Sequence, residues 1–175
     1  MMIGECVRGR TSYATTLQDK PLGMPIISKA APTPDFDRVL GGMLYSLLTW
    51  QQLAEFWSRI DPAAGWYLYA VGETPPDTPA QTSQVNAFIQ QIDELLRRDH
   101  DEDYCGIVYT DDLQHPSLVK IYDPHHLGSS CGSSKNPPLP GWIISRMPPT
   151  EIQSKSTVPA NRKRWWQALL TGADN

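Results

Sequence analysis

From Ser83 to Arg98 the apolar residues Val85, Phe88, Ile89, Ile92, Leu95 and Leu96 recur at three- and four-residue steps, with Gln84, Gln90, Gln91, Glu94, Arg97 and Arg98 facing away. That spacing predicts a helix with one apolar stripe, which is stable in water only when another layer covers it. Arg97 and Arg98 at its end suit the negative pole of the helix dipole.

The covering layer is expected to be a sheet. GWYLYAVGE at 65–73 is rich in residues of high β-propensity and is closed by the turn cluster TPPDTP. CGIVY at 105–109 and LVKIY at 118–122 are separated by a short polar stretch, as in a hairpin, and Pro140-Gly141 introduces a last strand that Pro148-Pro149 ends. The expected fold is therefore α+β: a single domain with a mixed sheet of about four strands (66–72, 104–109, 118–122 and 142–146), covered by an N-terminal helical region and helix 83–98. If the strands flanking that helix are parallel, the crossover between them is right-handed.

In the N-terminal helical region Thr33-Pro34 has the form of an N-cap and first helical residue. Phe36, Val39, Leu40, Met43, Leu44, Leu47 and Leu48 follow at helical spacing, interrupted by Gly41-Gly42, which weakens a helix by about 1 kcal/mol per glycine. Thr49 opens a second helical stretch, TWQQLAEFWSRI, which ends at Asp61-Pro62 because the residue before proline avoids the helical region. The expected organisation is an irregular arm at 1–32, the α+β domain at 33–149, and a linker with a C-terminal tail helix at 150–175.

The net charge of −4 gives no electrostatic reason to expect nucleic acid or an anionic membrane as the main partner. No stretch approaches the roughly 18 apolar residues that span a bilayer, and MMIGECVRGR lacks the apolar run of a secretory signal. Cys6, Cys105 and Cys131 are odd in number and widely spaced, with no CxxC pair. Neither a disulfide framework nor a zinc knuckle is suggested, and a cytoplasmic location is expected.

Two segments carry chemistry. The loop from Asp123 to Pro140 contains HHLGSSCGSSK and is long for a strand connection. Gly128, Ser129, Ser130, Cys131 and Gly132 can turn successive backbone N–H groups toward an anion, and Lys135 can add a charge, although the GxxxxGK[ST] pattern of a phosphate loop is absent. Cys131 with His126 as base is the candidate catalytic pair, since a thiolate needs a nearby base or cation. His125, His126 and Cys131, with Asp123 or His115, are the candidate metal ligands, because imidazole and thiolate suit transition metals. Asp111-Asp112, Asp123 and the run Asp99 to Asp103 are expected to be solvated turn formers.

The second segment is NRKRWWQALL at 161–170, where Arg162, Lys163 and Arg164 precede Trp165 and Trp166. On a helix Trp165, Trp166, Leu169 and Leu170 share an apolar side, which either docks on the domain or anchors a partner. The function expected is that of a non-catalytic accessory or binding protein, recognising a partner protein or a small anion through loop 123–140 and the tryptophan-bearing tail. The alternative is a small thiol- or metal-dependent enzyme centred on Cys131 and His126. No cofactor is expected, a transition metal being the one such group the loop suggests.

Overall fold

The structure is a computed structural model that describes residues 35–127, 138–153 and 159–171. The arm at 1–32, the Thr33-Pro34 cap and residues 128–137 of the loop lie outside the described residues.

The chain enters through a short helix α1 (Phe36–Leu40), with Asp35 as N-cap. It does not continue to Leu48 as its apolar spacing predicts. At Gly41-Gly42 the backbone closes the helix, Gly41 N–H donating to the Asp37 carbonyl and Gly42 N–H to that of Val39. The chain then straightens into strand β1 (Tyr45–Leu47). The glycine pair makes continuing the helix expensive, and pairing with a neighbouring strand decides the outcome, as tertiary context often does for short apolar runs.

Helix α2 (Trp50–Trp57) starts where Thr49 predicts. The Thr49 hydroxyl accepts from Gln52 N–H at 3.0 Å, and the Gln52 carboxamide accepts in return from Thr49 N–H at 3.2 Å. Strand β2 (Tyr67–Ala70) and helix α3 (Thr82–Asp99) follow, then strands β3 (Val108–Thr110), β4 (Leu118–Ile121) and β5 (Trp142–Ser145) and helix α4 (Ala160–Thr171).

The fold is α+β, but the sheet is neither mixed nor four-stranded. Among the described residues it has five strands in the order β1-β3-β4-β5-β2, and every pairing is antiparallel. The added strand is β1, hidden in the sequence inside a helical apolar spacing. β2 and β3 lie apart and run in opposite directions, so no parallel crossover joins them.

Each face of the sheet has its own core. Leu47, Leu68, Ala70, Val108, Val119, Ile121, Trp142 and Ile144 pack beneath α2, α3 and α4, and α3 contributes Val85, Phe88, Ile92, Leu95 and Leu96 from its predicted stripe. On the opposite face Tyr69, Leu118 and Ile143 are covered by Phe36 of α1 and by Met147, with Val39, Leu40 and Ile152 at the margin. The β3–β4 connection is built on carboxylates. Asp111 accepts from the backbone N–H of Ser117 (2.9 Å) and Leu118 (2.8 Å), and Asp112 from those of Gln114 (2.7 Å) and His115 (2.8 Å). These acids are the turn formers their positions suggest.

Candidate functional site

The two segments singled out in the sequence meet at one side chain. After β4 the chain makes a 3-10 turn (Pro124–His126), held by the Asp123 carboxylate accepting from His125 N–H at 3.0 Å. Arg162, in the first turn of α4, reaches the same carboxylate. Its Nε donates to Asp123 Oδ2 at 3.0 Å and its Nη2 to Asp123 Oδ1 at 3.1 Å, a two-pronged grip that matches the carboxylate plane. Nη2 also donates to Asp99 at the end of α3, at 2.7 Å. The guanidinium lies 5.9 Å from the Trp142 ring and is only 5% exposed.

This cluster is electrostatically self-contained. Burial opposes the charge on Arg162, but hydrogen bonds and attraction from Asp123 and Asp99 outweigh it and raise its pKa. Asp99 is held down to about 2, chiefly by its hydrogen bond from Arg98, against the opposing effect of burial and with help from Arg162. His125 Nδ1 lies 3.4 Å from Arg162 and His126 Nδ1 lies 3.6 Å from Asp123. The two candidate histidines therefore sit at the rim of an ion-pair network that already uses the nearby carboxylate.

The tail helix is part of the domain core. Trp166 is buried edge-on against Phe88, with ring centres 6.0 Å apart, and Leu169 is buried with it. Trp165 is half-buried against Trp142 at 5.5 Å, and the Gln84 carboxamide donates to the Leu170 carbonyl at 2.9 Å. Of the apolar side expected at 161–170, Leu170 is the residue left exposed. A cleft of about 430 Å³ between α3 and α4 is bordered by Arg98, Asn161, Arg162 and Trp165. Arg162 is committed to its carboxylates and Glu94 adds negative charge to the wall, so the cleft has little to offer an anion.

Gly128, Ser129, Ser130, Cys131, Gly132 and Lys135 lie outside the described residues, and with them the thiol and metal proposals that need Cys131. Among the described residues no three His, Cys, Asp or Glu side chains converge as metal ligands. Cys105 is buried, and burial pushes its thiol pKa up, as suits a small core residue. No described helix is long and apolar enough to cross a membrane.

The largest departure from ordinary surface lies at β1, which the sequence reading places inside a buried helical stripe. Met43 is 80% exposed, Leu48 58% and Tyr45 48%. The segment before β3 lies alongside: Cys105 N–H donates to the Leu48 carbonyl and Gly106 N–H to that of Leu47, both at 2.9 Å. That arrangement brings in Tyr104, 54% exposed. Gly106 has φ +64°, and a Cβ there would come within 3.0 Å of the Tyr104 ring, so glycine is what lets the ring lie against this backbone. The Trp50 indole donates to the Glu102 carbonyl at 3.2 Å, and the buried His100 ring stands edge-on between Trp50 and Tyr104. Among the described residues β1 has a strand on one side only. Tyr45 and the Gly41-Gly42 stop were the visible signals of this edge in the sequence.

Comparison with protein-family models, with curated proteins and with solved structures gives no match.

Proposed function

We propose that the protein is a non-catalytic binding domain for a partner protein, and that the partner docks on the side of β1 that carries no strand among the described residues. The observation that carries this reading is the concentration of exposed apolar side chains, Met43, Tyr45 and Leu48 with Tyr104 nearby, around a strand that among the described residues is paired on one side only. An edge strand presents unpaired backbone donors and acceptors, and soluble proteins usually blunt it with charge, proline or a covering element. Here its neighbours are apolar, which supports pairing with another chain by strand addition. The tryptophans of α4 then serve the fold, because Trp166 is already inside it.

The test is the double variant Tyr45→Lys/Leu48→Asp, compared with the wild-type protein by light scattering after gentle isolation from the cells that make it. Both residues are exposed, so the melting temperature is expected to stay within the small range of surface substitutions. The wild-type protein is expected to elute in an assembly heavier than 19.6 kDa, and the variant at its own mass. An equally heavy assembly from both would contradict the proposal.

A further inference from the structure

We infer that the cleft between α3 and α4 binds a flat, uncharged heterocycle with hydrogen-bonding edges, the chemistry of a nucleobase or free nucleoside; this goes beyond the partner-binding reading and does not depend on it. Gln91, Leu95 and Arg98 follow one another at helical steps and share one side of α3, while Asn161 and Trp165 stand one turn apart on α4. The cleft they border has a volume of about 430 Å³, inside the range of roughly 300 to 1,000 Å³ usual for small-molecule sites. The buried Leu95 gives it an apolar patch, and the half-buried Trp165 leaves part of its ring open.

The charges in the lining decide what kind of ligand fits. Arg98 donates twice to Asp99, at 2.7 and 3.2 Å, and Arg162 is spent on Asp99 and Asp123. Neither guanidinium is left for a phosphate, and the Glu94 carboxylate opposes one. A cationic ligand would in turn lie beside both guanidinium groups. What remains is the open part of the indole and the carboxamides of Gln91 and Asn161. The neighbouring Gln90 carboxamide donates to Glu94 at 3.3 Å, whereas that of Gln91 has no hydrogen-bond partner among the described residues. A carboxamide sets a donor beside an acceptor, which the edge of a base complements, and an aromatic ring stacks on any base.

The probe is adenosine, added to the full-length chain labelled with fluorotryptophan, the Trp165 fluorine signal being assigned by its loss in Trp165→Phe. Adenosine is expected to shift that signal, and equilibrium dialysis is expected to show half-saturation at roughly millimolar concentration or below, as suits a ligand of this size. Gln91→Ala should weaken binding roughly three- to tenfold, the scale of one hydrogen bond, with the melting temperature unchanged. Trp165→Leu should weaken it by at least roughly fivefold through lost stacking. Adenosine monophosphate should bind no more tightly than adenosine, because no lining cation is free. Markedly tighter binding of the monophosphate would make the cleft an anion site and overturn the inference. A shift of the Trp165 signal by tetramethylammonium but not by adenosine would overturn it in favour of a cation site at Glu94, and no shift with adenosine at several millimolar would overturn it outright.

Discussion

Without Arg162, Asp123 and Asp99 would be left facing each other at the inner end of α4 with one cation fewer, and Asp123 would be almost fully buried. Breaking such a pair from one side costs far more than the pair contributes, because the remaining charge has lost its solvent and its partner. Arg162→Ala is therefore expected to lower stability by roughly 3 to 5 kcal/mol, read from urea unfolding at neutral pH. Arg162→Lys should recover only part of that, since an ammonium cannot make the two-pronged contact. Asp99 gives the network a pH signature. Its folded pKa of about 2 lies below the usual carboxylate value of about 4, so its contribution is present above pH 4 and is lost as pH falls toward 2. Asp99→Asn is expected to flatten that part of the stability curve, and an unchanged acid limb would show that Asp99 ionises as freely in the folded chain as in the unfolded one. His100 is the opposite case: its ring is buried and its Nε2 has no hydrogen-bond partner among the described residues. His100→Phe keeps the edge contacts to Trp50 and Tyr104 and removes the unpaired nitrogen, so stability should hold or rise by up to about 1 kcal/mol. A loss above about 1.5 kcal/mol would mean that Nε2 is satisfied after all.

At the scale of elements, α4 behaves as a covering helix of the larger core. A helix of this length is marginal alone in water, and its position rests on Trp166, Leu169 and Arg162. Trp166→Ala should cost roughly 3 to 5 kcal/mol, while Trp165→Ala, half-exposed, should cost about 1 kcal/mol. Equal effects in thermal melts would put the two rings in equivalent environments and contradict the packing. Helix α3, with its stripe, was legible in the sequence because one long period dominates it, and α2 because Thr49 announces its start. β1 was not. Phe36, Leu40, Met43, Leu44, Leu47 and Leu48 satisfy a helical period on paper, and only the Gly41-Gly42 stop and the strand pairing of Leu47 with Val108 resolve the ambiguity. Sheet order was illegible for a similar reason: local spacing predicts strands, whereas neighbours are chosen by contacts distant in sequence.

At the scale of the whole molecule, which apolar segments are buried and which are exposed differs from what composition suggests. Arg162, Lys163 and Arg164 beside two tryptophans have the composition of a binding tail, and composition cannot tell an anchor that faces outward from one that faces its own core. Asp99 and Asp123, which pull Arg162 inward, lie 63 and 39 residues away in the chain. The opposite error hid Met43 and Leu48, which have the composition of core residues and lie on the surface. We propose a division of roles in which the tail holds the fold and the β1 edge binds the partner. It is tested most directly by placing a photo-crosslinking amino acid at Met43 and, separately, at Arg164, both exposed, in the full-length chain inside the cells that make it. One discrete protein adduct is expected from position 43 and none from position 164; the same adduct in equal yield from both, or from position 164 alone, would rule that division out.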